Sequence, residues 1–268
     1  MNDTVDARDS YVVEEACNEL GGAAAGAQNS AQGSAETEVL INITKGRIAT
    51  YGLLSRLYYQ EVDAALLDEL CQMRMPTNTG SVQADEAYRM LHGYLNGCWE
   101  RTLTELAVDY ARVFLGNGIN AYSAAYPYES VHTSSKRLLM QEARDEVLAI
   151  YRANGIKKCD KWKLGEDHIA LELEFEQIMT MRSLDALQEN DEATAAKLML
   201  TQYNFLVDHL LAWAPMLNDE MQKFAHTNFY RALGKLTMGF LQAERELLQD
   251  LLADELALTK ASPTTIEQ

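Results

Sequence analysis

From Ile41 onward, apolar residues recur every three or four positions, the spacing of one buried face of a helix, and strand-like alternation persists nowhere. Ile48, Tyr51, Leu54, Leu57 and Tyr58 make the first stripe, with Thr44 as its candidate cap. Asp63 opens a second helix carrying Leu66, Leu67, Leu70 and Met73, which Pro76 ends. Ser81 opens a third through Tyr88, Leu91, Leu95 and Trp99. A fourth, over residues 103–114, places Leu103, Leu106, Ala107, Tyr110, Val113 and Phe114 inward. Asp109 and Arg112 fall opposite that stripe, as a solvated pair would.

Gly116, Asn117 and Gly118 stop this helix, because glycine and asparagine tolerate the left-handed backbone common at helix ends. A loop bearing Tyr122, Tyr126 and Tyr128 follows, in which Pro127 biases Tyr126 toward an extended conformation. Ser130 or Thr133 then caps a long helix ending at Asn154-Gly155, with Leu139, Val147, Leu148 and Tyr151 inward. A connector with Lys157, Lys158, Lys161 and Lys163 leads to Gly165 and to a helix over residues 166–187, apolar around much of its circumference and therefore central. Met199, Tyr203, Leu206, Leu210 and Trp213 share a face of the next helix, broken at Pro215, and a short helix covers residues 218–224. The last runs over residues 227–258 with Leu236, Phe240, Leu247, Leu248, Leu251 and Leu252 inward. The pattern predicts an all-α, single-domain bundle of about ten helices.

Residues 1–40 break the pattern. They are rich in Ala, Gly, Ser and acid, and predict a mobile tail with one short helix over residues 12–20, ahead of a helical domain over 41–268. Asp3, Asp6 and Asp9 stand where a signal peptide carries basic residues, and no apolar run is long enough to span a bilayer, so a cytoplasmic location is expected.

A net charge of −17 argues against nucleic acid as a partner and suits a basic one, although charge alone favours the simpler reading of an acidic surface that keeps the protein in solution. Cys17, Cys71, Cys98 and Cys159 form no C-x-x-C pair, as expected of reduced thiols rather than a zinc site. No phosphate-binding glycine loop and no G-x-S-x-G elbow is present. His168 and Glu172 lie four apart on one helical face, but two ligands do not complete a metal site, and His132, His209 and His226 have no partner at metal-like spacing. No cofactor and no catalytic residue is therefore assigned. The remaining enzymatic alternative is an all-α metal-dependent hydrolase built on His168, Glu172 and a further histidine.

Two segments carry a resemblance. Residues 109–116 (DYARVFLG) followed by 126–132 (YPYESVH), and residues 167–173 (DHIALEL), resemble in order and approximate spacing the motifs of the TorD/DmsD family of molybdoenzyme maturation chaperones. The resemblance departs from the usual motif at Asn117, at His132 and at Gly165, each of which loosens a loop. From the residues alone, Asp167 and His168 in the first turn of a helix are foremost a helix start, where an acid contributes roughly 0.3–1 kcal/mol.

The resemblance implies more: a non-enzymatic chaperone that binds the twin-arginine leader and the apo catalytic subunit of a molybdenum-cofactor oxidoreductase, assists cofactor insertion and delays export. It also implies transient contact with the export machinery and allows a homodimer. The leader would need carboxylates for its guanidinium groups and an apolar groove for its hydrophobic segment. Asp167, Glu172 and Glu129 are the acidic candidates, and Tyr126, Pro127, Tyr128, Ser130 and His168 complete the expected peptide-binding set. A NarJ-like assembly factor for a nitrate reductase is the nearest alternative.

Overall fold

The structure, a computed structural model, describes residues 30–116, 123–159 and 162–253. The tail helix over residues 12–20, Cys17, Asn117, Gly118, Tyr122, Lys161 and the last turn toward residue 258 lie outside them. Ten α-helices appear among the described residues: α1 (Ser30–Tyr59), α2 (Ala64–Gln72), α3 (Val82–Leu95), α4 (Thr102–Tyr110), α5 (Glu129–Thr133), α6 (Glu142–Ala153), α7 (Ile169–Gln188), α8 (Glu192–Phe205), α9 (Leu211–Phe224) and α10 (Asn228–Leu251). An isolated antiparallel bridge joins Tyr128 and His168. The class is all-α, as the periodicity predicts.

The chain folds as two compact units, each drawn from two separate stretches of sequence. The first contains α1, α5, α6 and α7, the second α2 to α4 and α8 to α10. In the first unit α1 and α7 pack along their lengths. Tyr51, Leu54, Leu57 and Tyr58 of α1 are buried, and α7 is buried from Ile169 through Glu176 without interruption. Ser55 Oγ donates to the Ala170 carbonyl at 2.8 Å, and Tyr151 stacks on Phe175 at 5.0 Å.

Helix α1 begins at Ser30, upstream of the expected start. Thr44 is accordingly no cap: it is buried mid-helix, and its hydroxyl donates back to the Leu40 carbonyl at 2.7 Å. The long helix expected over residues 130–154 is two. A turn after α5 interrupts it, with Arg137 at φ 50 and Met140 at φ 56, and Leu139 is exposed rather than inward. Non-glycine residues with positive φ announce themselves weakly in sequence.

In the second unit α10 packs on α3 and α9. Gly239 lets the backbones of α10 and α3 come close, since a Cβ there would meet Ala84 at 3.0 Å. Asp63 and Ser81 cap α2 and α3 as predicted, accepting from Leu66 N at 2.9 Å and Ala84 N at 3.2 Å. Met73 and Trp99 lie beyond these helices and are exposed, and Leu251 of α10 is also exposed. A π-turn, Ala111–Leu115, ends α4, and Gly116 closes it at φ 65. Another π-turn, Leu206–Leu210, joins α8 to α9. The break therefore comes before Pro215, which sits inside α9, and residues 218–224 continue that helix.

Asp109 is the largest departure in this unit. It is 1% exposed, not solvated. Its carboxylate accepts from His226 N (3.0 Å), Thr227 N (2.7 Å) and Thr227 Oγ1 (2.7 Å), and pairs with Arg112 at 2.9 Å. It thereby holds the start of α10, whose N-cap is Thr227.

Candidate peptide-binding site

Residues 127–130 of the first motif meet residues 167–169 of the second within the first unit. Glu129 N donates to the Asp167 carbonyl (2.9 Å), and Ile169 N to the Pro127 carbonyl (3.0 Å). The rings of Tyr128 and His168 meet edge to face, 4.8 Å between centroids. Asp167 Oδ2 accepts from Ser130 N at 3.0 Å, and Ser130 Oγ accepts from Gln141 N at 3.2 Å. One aspartate thus starts α5 from 37 residues away.

Asp167 and His168 precede α7 instead of lying in its first turn. His168 is the N-cap: its Nδ1 accepts from Ala170 N at 3.0 Å, which puts the ring proton on Nε2. Burial pushes its pKa down to about 3, so the ring is neutral at neutral pH. The ring caps a helix, a role that needs an unprotonated nitrogen.

Asp167, Glu172, Glu129 and Ser130 are buried, and Pro127 with them, while Tyr128 is half-buried. The acidic candidates therefore form part of the interior. Tyr126 belongs to the second unit, where it is half-buried and its hydroxyl lies 3.1 Å from Ser123 Oγ. It adopts φ 29 instead of the extended conformation expected before proline.

Asp167 Oδ1 is buried and has no hydrogen-bond partner among the described residues. Above it sits Gly165, half-exposed, where a Cβ would stand 2.9 Å from that oxygen. A carboxylate oxygen removed from water and left unpaired is costly, and a cationic donor would offset that cost.

Two features escaped the sequence reading. Glu166 is an ion-pair centre, with Arg144 Nε at 2.7 Å and Lys158 Nζ at 3.0 Å. Burial raises its pKa, yet the bonds from Arg144 and Lys158 outweigh this and hold it below the usual carboxylate value. Leu138, Leu139 and Met140 form an exposed apolar edge directly before Gln141, the residue tied to Ser130. Three consecutive apolar residues read as helix interior unless the positive φ of their neighbours is known. Among the described residues no cluster of His, Cys, Asp and Glu could hold a metal ion, and no helix is long and apolar enough to cross a membrane.

Fold and site define a class: an all-helical protein in which a proline-tyrosine connector is clasped to the start of a buried central helix. Residues 81–219 match the family model described as nitrate reductase delta subunit, and the chain belongs to that family, the one that includes TorD and NarJ. Among curated proteins it is 28% identical over 150 residues to the chaperone protein TorD of Vibrio cholerae, covering 56% of this chain and 65% of the relative. It is 31% identical over 144 residues to that of Photobacterium profundum, covering 54% and 64%. With the Vibrio vulnificus protein of the same name it shares 25% identity over 208 residues, covering 75% and 94%. The chain thus spans just under two thirds of the length of the first two of these relatives.

Proposed function

We propose that this protein is a cytoplasmic, non-enzymatic chaperone that binds the twin-arginine leader and apo catalytic subunit of a molybdenum-cofactor oxidoreductase, assists cofactor loading and delays export. The relatives named as TorD chaperones support the class of function. The observation that carries the leader-binding part is the buried, unpartnered Asp167 Oδ1 beneath a residue with no side chain. A leader guanidinium entering past Gly165 pairs with that oxygen, and the hydrophobic segment lies along Leu138, Leu139 and Met140, with half-buried Tyr128 at its side and the buried His168 ring supporting Tyr128 from beneath. Glu172 and Glu129 are buried in the same unit, and Tyr126 and Pro127 set the course of the connector.

Calorimetric titration with a twin-arginine leader peptide tests this. Binding is expected with a Kd on the order of micromolar, about −8 kcal/mol, weak enough for later release. Asp167→Asn preserves shape and an acceptor for Ser130 N but removes the charge, so affinity should fall roughly tenfold or more, the value of one hydrogen bond to a charged group. Gly165→Ala, which sets a methyl against Oδ1, should weaken binding comparably. A leader that binds Asp167→Asn as tightly as the parent removes Asp167 from the site.

The family description favours one second reading, assembly of a nitrate reductase. Pull-down of the native client decides between them: co-purification of a nitrate reductase subunit, with no binding of a twin-arginine leader peptide, supports the second.

A further inference from the structure

We propose that Cys71 and Cys98 form a reversible disulfide, making one face of the second unit an oxidation-sensitive clamp. Twenty-six residues separate the two in sequence, yet their Sγ atoms lie 3.8 Å apart. A disulfide needs about 2.05 Å, so the sulfurs have less than 2 Å to close. Both sit at or just beyond a helix end. Cys71 is exposed in the last turn of α2, and half-buried Cys98 follows Gly97, just past the end of α3. The bond would tie α2 to the turn that, with Tyr94, Trp99 and Glu105, lines an open cavity of about 530 Å³.

Glutathione disulfide is a sufficient oxidant. The Cys71 thiolate attacks one sulfur of glutathione disulfide, whose S–S bond breaks, and the departing glutathione takes up a proton. Cys98, deprotonated in turn, attacks the Cys71 sulfur of the mixed disulfide and expels the second glutathione, which is also protonated. Two protein thiols are oxidised and one glutathione disulfide is reduced to two thiols. Burial first, and the contact with Cys98 next, raises the Cys71 pKa, so exchange is slow and responds to a sustained shift in redox balance rather than a pulse.

The test equilibrates the full-length protein with graded ratios of glutathione disulfide to glutathione, followed by alkylation, digestion without reduction and mass spectrometry. The expected result is joint loss of two of the four thiols, one linked peptide pair containing Cys71 and Cys98, and full reversal by dithiothreitol. Oxidation should occur at a disulfide-to-thiol ratio roughly tenfold lower than that which modifies Cys159. In Cys98→Ser, Cys71 should carry glutathione instead. Independent glutathionylation of the two cysteines in the parent protein, or both remaining alkylatable when Cys159 has reacted, overturns the proposal.

Discussion

Asp109→Ala lowers the free energy of unfolding by about 3 kcal/mol, the largest single effect expected outside the hydrophobic core. The carboxylate serves two backbone amides, the capping hydroxyl of Thr227 and the Arg112 guanidinium at once. Truncation leaves the amides of His226 and Thr227 without their acceptor, and frees the hydroxyl that caps the 24-residue α10 from its own anchor. Arg112→Ala is the contrasting variant. Its side chain is 36% exposed, and losing an ion pair at such a site costs under about 1 kcal/mol. Urea unfolding of the two variants should separate them clearly. If Asp109→Ala falls within 1 kcal/mol of the parent, the carboxylate is not what secures the helix start.

Acid has the second large effect, through His168. Its pKa is about 3 in the folded protein, against an ordinary value near 6.5 when unfolded. The unfolded chain therefore binds a proton that the folded chain refuses. Stability is complete above pH 6.5 and declines as pH falls from there toward 3, approaching 1.4 kcal/mol per unit. Between pH 7 and 5 this one residue removes about 2 kcal/mol. His168→Asn keeps a capping side chain and has nothing to protonate, so its stability should fall by about 2 kcal/mol less than the parent's across that range. Equal losses in parent and variant would mean that His168 titrates normally and that its ring is not sealed from water.

What the sequence disclosed and what it withheld follow one physical division. Asp63 and Ser81 were legible as caps because a cap bonds an amide three residues ahead, so its partner is in view. The inward stripes of α1, α3 and α10 were legible within the helices, apart from Trp99 beyond α3 and Leu251 at the end of α10, which are exposed. Asp109 was not, because its partners lie 117 and 118 residues away and only the folded backbone brings them together. Asp167 bonds across 37 residues, which turned an expected helix-start acid into the anchor of a different helix. The motif residues were found, but their burial was not, since periodicity marks a face and says little about how much lies over it. Leu139 failed in the opposite sense: an apolar residue at helical spacing was carried outward by a turn built from Arg137 and Met140 in a conformation that neither side chain favours. The nearness of Cys71 and Cys98 is likewise a property of the folded chain alone.

The discontinuity of the first unit bears on how the protein is made. Helix α1 leaves the ribosome early, yet the carbonyl that receives the Ser55 hydroxyl belongs to Ala170, 115 residues later. At about 5–20 residues per second of synthesis, that interval is roughly 6–23 s. For that time Tyr51, Leu54 and Tyr58 lack the later helix, α7, against which α1 packs in the folded unit.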